Sequence, residues 1–444
     1  MNGGRVTKVR YIVLLAVLAL LGCTNPDKAL ERRGEAEYTV ILYGCAGGNL
    51  DSYLNEKIYQ LFGQGYEKDI FITALVKYSK SLQHKNSYSG TRRLSLIGRS
   101  RVENERYADA SFALDNPENF ATFIAETKRR MPAKKYILIL WNHGEEFSIF
   151  DQPLTTGSRA ILYDDNRNYA PLSIFELERA LALADTHFDA IVLDACRMAS
   201  AEYLFQIKDY ADFVVAPSHN IYGGMHYKRF AHYLAESNSL PSALSQFASS
   251  TMKHWTRYDT SEPMDTSLFD MRKADVVLER LGECSRQLLA LRNSLSGEEL
   301  LRYHRLNKTR QRICKEFYGE EGILYFINPK SDSSVESVDI LYHLSSFGEA
   351  FNHQSLKESV VEARKAFNEM QLATYSHNLS PAIGTTSLAV KWSFHHRYTF
   401  DYTREYIEKI GQEPQFTTLK SIYPYLHFDQ ATSWSLLLEG NMLE

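Results

Sequence analysis

Five short apolar runs in the first half of the chain constrain its fold more than any other feature. They lie at Tyr38–Tyr43, Ile70–Tyr78, Tyr136–Trp141, Ala190–Leu193 and Phe213–Ala216. Apolar side chains at nearly every position, rather than at alternate positions, are typical of strands covered on both faces. Because helical patterns separate the runs, the sequence predicts an α/β fold with a mostly parallel sheet flanked by helices.

Helical periodicity fills the gaps between these runs and most of the second half of the chain. In the first half the predicted helices cover 51–62, 116–131, 171–183 and 198–207, and the polar segment 80–110 is predicted to be a hairpin or loop. In the second half they cover 239–256, 270–292, 297–317 and 354–373, with strands predicted at 322–327 and 386–392. We therefore divide the chain into a core, 37–235, and a mainly helical C-terminal region, 236–444, whose strands return to the core.

The composition is that of a globular protein and excludes several other classes. Hydrophobic residues make up 44% and charged residues 23% of the 444 residues, which excludes wholesale disorder and a multi-span membrane protein. The formal net charge of −4 lacks the positive field expected of a dedicated nucleic-acid binder, so nucleic acid is not a predicted partner. Five cysteines are too few for a disulfide-stapled fold.

The N-terminus has the pattern of a bacterial lipoprotein signal peptide. Three basic residues precede the apolar run Tyr11–Leu21, which suits a signal-peptide core and is shorter than the ~20 residues that cross a bilayer. The run leads into Leu-Gly and Cys23, which resembles the lipobox that precedes a lipidated cysteine. We predict a signal peptide over 1–22, a lipid on Cys23, a tether over 23–36 and attachment to the bacterial cell envelope. The alternative is a plain signal peptide with a chance cysteine.

Two strand ends carry residues suited to nucleophilic chemistry. The strand 136–141 runs into His143, and the strand 190–193 runs into Cys196. Ligands of α/β sheets bind beyond the carboxyl ends of the strands, so these two side chains are predicted to face one crevice. A thiol attacks as the thiolate, and a neighbouring imidazole takes and returns its proton. The helix predicted after Cys196 would also favour a negative sulfur.

The residue after His143 supports the same chemistry. Gly144 lets backbone approach a substrate closely, and its N–H could form an oxyanion hole with that of Cys196. The alternative is that Cys196 is a small core residue and His143 a structural histidine. The chain has no H-E-x-x-H, H-x-x-x-H or C-x-x-C motif, so no metal site is predicted.

Taken in order, the motifs resemble those of the clostripain-like cysteine peptidases, which belong with caspases, legumains and gingipains. The similarity runs from about 38 to 230 through YTVILY, GGNLD, YILILWNHG, ILYDDN, IVLDACRMASAEYLF and ADFVVAPSHNIYGGMHY. The resemblance implies a caspase-like fold, with His143 as the base and Cys196 as the nucleophile. It also implies protein or peptide substrates cleaved after Arg or Lys. The chemistry requires no cofactor, and calcium is left as an open alternative.

Cleavage after a basic residue requires an acidic group in the specificity pocket. Asp194 is the nearest candidate, and the alternative is that it caps backbone N–H groups. Ser218, in the loop after the fifth run, is also predicted to contact substrate. Relatives carry acidic residues directly after this serine, whereas this chain has His219 and Asn220. This departure puts the preference for Arg or Lys in doubt.

Three further features follow from the resemblance. Asp164 and Asp165 are predicted to be solvated loop acids, with a structural or calcium-binding role as the alternative. The acids at 145–146 are predicted to lie on the surface or to line the pocket. Because several family members cleave themselves between the histidine and the cysteine, Arg159 is a candidate self-cleavage site.

Two other functions stay open at this level. The first is a non-catalytic envelope lipoprotein that uses the fold as a binding module. The second is a different cysteine acyl-transfer enzyme, such as an amidase or transpeptidase. The cysteines without a motif partner, Cys45, Cys284 and Cys314, are predicted to be core residues, with a Cys284–Cys314 disulfide as an alternative.

Overall fold

The structure is a computed structural model and describes residues 34–63, 69–97, 101–144, 161–167, 170–257, 264–304, 325–326, 337–377, 388–391 and 423–439. The strands of the first half are β1 (Ala36–Cys45), β2 (Ile70–Lys77), β3 (Thr91–Ile97), β4 (Arg101–Ala108), β5 (Ala133–Trp141), β6 (Ile161–Asp164), β7 (Ala170–Leu172), β8 (Phe188–Asp194) and β9 (Ala211–Ala216). Those of the second half are β10 (Met264–Asp270), β11 (Tyr325–Phe326), β12 (Ser337–Asp339), β13 (Gln371–His377) and β14 (Ala389–Lys391).

The helices lie mostly between the strands of the first half and after β10. They are α1 (Asp51–Phe62), α2 (Pro117–Arg130), α3 (Ile174–Leu183), α4 (Ala201–Gln206), α5 (Phe230–Glu236), α6 (Leu240–Trp255), α7 (Ala274–Ser294), α8 (Ile340–Ala350), α9 (Gln354–Met370), α10 (His427–Thr432) and α11 (Trp434–Glu439). Residues 297–304 are also helical. Within the described ranges, no helix combines the length and the apolar character needed to cross a bilayer.

Nine strands form the main sheet, in the order β13-β10-β9-β8-β5-β1-β2-β3-β4. The five in the middle are parallel, because β1 pairs parallel with β2 and β5, and β8 pairs parallel with β5 and β9. Antiparallel strands complete both edges, β3 and β4 on one side and β10 and β13 on the other. The mostly parallel sheet flanked by helices, predicted from the five apolar runs, is confirmed.

Alternate residues of the central strands enter two different apolar layers. Leu138 and Ile191 pack on the face that carries α2, α3, α4 and the C-terminal helices α7 to α11. Their neighbours Ile137 and Val192 pack on the opposite face, against α1, α5 and α6. Burial of both faces explains why these strands are continuously apolar in sequence.

Side-chain caps fix where two of the helices begin. Asn116 accepts a hydrogen bond from the N–H of Asn119 (2.8 Å), and Pro117 occupies the first turn of α2. Ser173 and Glu176 form a reciprocal capping box at the start of α3. These polar contacts satisfy N–H groups that have no partner within the helix.

Strands of the C-terminal region do return to the main sheet, but they are not the two that the sequence predicted. Parts of the predicted segments 322–327 and 386–392 are strands, but β11 and β14 form a separate three-stranded sheet with β12 instead of joining the main sheet. The strands that do extend the main sheet, β10 and β13, were not predicted. Both mix polar with apolar residues, and both pair antiparallel near an edge, where a continuous apolar run is not required.

Candidate active site

His143 and Cys196 follow adjacent parallel strands at the carboxyl edge of the main sheet. In the parallel ladder of β5 and β8, Trp141 lies opposite Asp194. His143 and Cys196 each follow two residues later. The structure therefore brings together the two residues that the sequence placed at separate strand ends.

Gly144 packs directly against the backbone that carries Cys196. A Cβ atom at position 144 would lie 2.5 Å from the Cβ of Ala195, 2.8 Å from the carbonyl oxygen of Cys196 and 3.0 Å from its backbone nitrogen. Real Cβ contacts are longer than this, so only glycine fits without a shift of the backbone. The turn after β5 and the turn after β8 are thus in close contact.

The loop after β1 contributes a third polar residue. β1 lies between β2 and β5 in the sheet. The connections after β1 and after β5 therefore run in opposite directions and leave a crevice between them, as at the switch point of an open α/β sheet. There the side-chain oxygen of Asn49 lies 2.8 Å from Nε2 of His143. The imidazole is half-buried, and its partial removal from water lowers the pKa of His143 below its ordinary value. Sequence reasoning missed Asn49, although its position just after a central strand was a usable signal.

The surroundings of Cys196 differ from the prediction in one respect. The side chain is half-buried, and the backbone N–H of Ile221 donates to its sulfur (3.4 Å). Helix α4 begins only at Ala201, because the hydroxyl of Ser200 accepts from the N–H of Tyr203 and caps the helix there. The expectation that Cys196 opens a helix and gains from its dipole is therefore wrong.

The turn after Cys196 is tied to the loop that follows β9. Arg197 has a φ of 58°, in the left-handed region that costs a residue with a Cβ of the order of 1 kcal/mol. Its backbone N–H donates to the carbonyl of His219 (3.0 Å), and its Nε donates to Oδ1 of Asn220 (3.1 Å). These contacts hold the turn that carries Cys196.

Ser218 is buried and bound to Asp265, which does not support its predicted role in substrate contact. It is 0% exposed. Its hydroxyl donates to Oδ2 of Asp265 (2.6 Å), and its N–H donates to Oδ1 (2.9 Å). The N–H of His219 donates to the same Oδ1 (2.8 Å), and its ring Nδ1 lies 3.1 Å away. An acid does stand beside this loop, but it comes from β10, a strand that was not predicted.

Asp194 points into the protein interior, which does not support the predicted substrate-facing position. Its carboxylate, on a residue that is 1% exposed, accepts from the N–H of Met225 (2.8 Å) and the hydroxyl of Tyr227 (2.6 Å). Burial raises the pKa of Asp194, whereas the charge of Lys57 acts in the opposite direction. The alternative prediction, that Asp194 accepts hydrogen bonds from backbone N–H groups, holds in part. The N–H group is that of Met225, in the loop 221–227, and not one at the start of a helix.

The two acids after the third apolar run have structural contacts. Asp164 is buried and forms an ion pair with buried Lys77 (2.5 Å), so the prediction of a solvated loop acid is wrong for it. The half-buried Asp165 accepts from the backbone N–H of Lys80 (3.0 Å). Across the described residues, no group of three or more His, Cys, Asp or Glu side chains could hold a metal ion.

The two other described cysteines are core residues. Burial raises the pKa of Cys45, and it raises that of Cys284 to about 12, so both thiols stay protonated. Asn142 donates to the carbonyl (2.5 Å) and to the sulfur (3.2 Å) of Cys45. The remaining predicted residues, Cys23, Cys314, Arg159 and the acids at 145–146, lie outside the described residues.

Comparisons with known proteins identify a family and several similar structures. The sequence profile of the Clostripain family matches residues 43–434. Among solved structures, a secreted C11 cysteine protease from Bacteroides thetaiotaomicron, "iotapain", is similar with a TM-score of 0.60 and 14% identity, covering 90% of this chain and 99% of that chain. An inactive zymogen C11 protease from Parabacteroides distasonis gives a TM-score of 0.59 and 15% identity, covering 90% and 98%. No curated protein sequence matches the chain.

At these identities the solved structures establish the fold. The family match spans most of the chain and includes both strand ends described above. The chain belongs to the clostripain family of cysteine peptidases.

Proposed function

We propose that the protein is a cysteine endopeptidase in which His143 and Cys196 form the catalytic dyad. The observation that carries the proposal is the parallel register of β5 and β8, which brings the two residues to one edge of the sheet. The half-exposed thiol and the close packing of Gly144 against Cys196 support it. A thiol needs less activation than a serine hydroxyl, so a dyad suffices.

The reaction proceeds through a thioester. The sulfur of Cys196 attacks the carbonyl carbon of the scissile peptide while its proton passes to His143. When the C–N bond breaks, His143 gives this proton to the leaving amine. Water then attacks the thioester and transfers a proton to His143, which returns it to the sulfur as the acid product leaves.

Asn49 fixes the tautomer of the base. A side-chain amide oxygen accepts but does not donate, so Nε2 of His143 carries the proton in the contact with Asn49. In the neutral ring Nδ1 is then the basic nitrogen. The lowered pKa keeps the imidazole neutral near pH 7 and ready to accept the thiol proton.

The oxyanion of the tetrahedral intermediate is bound by the N–H groups of Gly144 and Cys196. Support comes from the close approach of the two backbones, since a Cβ at position 144 would come within 3.0 Å of the Cys196 nitrogen. Backbone donors held in place by a sheet stabilise the developing charge without reorganisation.

Cleavage after Arg or Lys is the narrower hypothesis that the family suggests. It requires the carboxylate of Asp194 to meet a substrate cation. In this structure that carboxylate is buried beneath Met225 and Tyr227. A peptide series that varies the residue before the scissile bond decides the matter.

Replacement of the nucleophile tests the proposal directly. We expect Cys196→Ala to lower peptide turnover by at least about a thousandfold, because the covalent route is lost. The full chain in detergent with a reductant, assayed on fluorogenic peptides, provides the measurement. Cys284→Ala, which removes a buried thiol elsewhere, is the matched control. Equal turnover by Cys196→Ala and wild type would contradict the dyad.

The same incubations test self-cleavage after Arg159. The active protein should produce two fragments that Cys196→Ala does not form.

The contact between Asn49 and His143 predicts a change in pH dependence. Asn49→Asp places a carboxylate beside Nε2, which favours the imidazolium and raises the pKa of His143. The base works in its neutral form, so activity is present above this pKa and is lost as the pH falls through it. The acid limb of kcat/KM should therefore move to higher pH. Asn352→Asp, which adds the same charge on the exposed turn between α8 and α9, is the control. Superimposable profiles for Asn49→Asp and wild type would rule out this positioning role.

A methyl group at position 144 tests the oxyanion site. Gly144→Ala forces the backbone apart at Ala195 and Cys196, so we expect kcat to fall by ~10²–10³ while KM changes little. In Gly348→Ala, by comparison, the new Cβ meets the flexible side chain of Lys357 at 3.2 Å. That control should keep wild-type kinetics. Loss of substrate binding with an unchanged kcat would argue against an oxyanion role.

We also propose that the enzyme acts in the bacterial cell envelope, attached through a lipid on Cys23. The lipobox-like sequence supports the anchor, and the secreted protease among the similar structures supports a location outside the cytoplasm. Cys23→Ala should move the protein from the membrane fraction to the soluble fraction of the host, with Cys45→Ala as the control. Membrane association that survives Cys23→Ala would exclude this anchor.

A further inference from the structure

Lys57 places an ammonium group in the protein interior next to the active-site loop. It lies on α1 and is 1% exposed. Its Nζ donates to the carbonyl oxygen of Met225 (2.6 Å). Lysine is almost never buried to this extent unless a group of opposite charge compensates it.

The charge of Asp194, followed by that of Glu56, acts on Lys57 and opposes the effect of its burial. The peptide groups of Met225 join Asp194 to Lys57, since its N–H donates to Asp194 and its carbonyl accepts from Lys57. Gly224, with a φ of 77°, lies between them, and a Cβ at this position would be 2.9 Å from Oδ1 of Asp194 and 3.1 Å from Cε of Lys57. Burial lowers the pKa of Lys57 and raises that of Asp194, and in each case the charge of the other opposes the shift.

Two stacked histidines lie beside this pair, and their lowered pKa values leave them neutral near pH 7. His226 stacks on His254 with ring centroids 3.9 Å apart. Burial, followed by the charges of His254, Lys57 and other cations, lowers the pKa of His226 to about 4. The stacked histidines therefore add no negative charge that could bind a substrate cation in place of Asp194.

The same loop reaches the nucleophile. The N–H of Ile221 donates to the sulfur of Cys196, and the loop continues through Tyr222 to the residues that cover Asp194. Tyr53 and Tyr222 are partly exposed here, at 40% and 42%. Tyr222 of the loop and Tyr53 of α1 thus offer aromatic surface, and the carboxylate of Asp194 is not open to solvent.

We propose that Lys57 determines the primary specificity of the enzyme. Its ammonium compensates Asp194 from within the fold, so the enzyme cleaves after an uncharged residue and not after Arg or Lys. The inference rests on the proposed peptidase function and adds the class of substrate to it. A basic side chain would bring a second cation to one buried carboxylate, which is unfavourable.

Peptides that differ only in the residue before the scissile bond (Arg, Lys, Leu, Gln, Ala or Glu) test the inference with the full chain in detergent. Wild type should cleave after Leu, Gln or Ala in preference to Arg, Lys or Glu. Lys57→Met keeps the apolar stem and removes the charge. In this variant the ratio of kcat/KM for the Arg peptide to that for the Leu peptide should rise by about tenfold or more. Lys57→Met/Asp194→Asn should return this ratio to the wild-type value.

Lys77→Met is the matched control, because Lys77 is equally buried but pairs with Asp164. It should lower stability and leave the ratio unchanged. A wild-type preference for Arg, Lys or Glu, or an unchanged ratio in Lys57→Met, would overturn the inference.

Thermal unfolding gives a second readout that does not depend on turnover. Asp194→Asn and Lys57→Met should each lower Tm, and the double variant should lose less than the sum of the two. Strictly additive losses would overturn the pairing. If wild type cleaves none of the peptides and a peptidyl electrophile does not label Cys196, the peptidase proposal falls and this inference falls with it. Turnover without the predicted ratio overturns the inference alone.

Discussion

The parallel pairing of β5 with β8 is the constraint on which the rest of the active site depends. Strand residues rise by about 3.3 Å each and alternate between faces, so a slip of one residue would separate His143 from Cys196 and turn one of them to the other layer. Both faces of these strands are buried in apolar layers, which fixes their register. Because β1 lies on the other side of β5, the same pairing brings Asn49 to the imidazole. The proposed nucleophile, base and positioning residue thus follow three adjacent strands.

Buried carboxylates hold the specificity side of the crevice in place. Removal of one carboxylate from water costs several kcal/mol, so each must find charged or hydrogen-bonding partners. Asp265 takes four contacts from Ser218 and His219, and Asp194 takes two from the loop 221–227. Most connecting loops lie on the surface. The loop from Ser218 to Tyr227 is instead anchored to the core at both ends. Its contacts keep Arg197, in the turn after Cys196, in the left-handed conformation.

The sequence predicted the parts of the molecule whose cause is local. Continuous apolar runs identified the five parallel strands, and the two strand ends identified His143 and Cys196. The strand β10 was missed because its sequence, MDTSLFD, satisfies its polar side chains through partners on other elements. Asp265 and Lys57 were missed for the same reason, since their contacts join residues far apart in the chain. No periodicity distinguishes a buried charged residue with a distant partner from a solvated one.

Catalytic residues and specificity residues differ in how far they can be predicted from local sequence. A nucleophile and a base require only two strand ends in register, so they can be recognised from short motifs. The effect of an acidic side chain on substrate binding depends on the net charge of all the groups buried with it. In the proposal made above, Asp194 alone would attract a substrate cation, whereas Asp194 beside Lys57 offers it little net charge. The proposal therefore predicts that one substitution on α1, remote in sequence from the catalytic motifs, changes the preferred substrate without altering the dyad. On this proposal, specificity depends on the buried charge balance and not only on the residue two positions before Cys196.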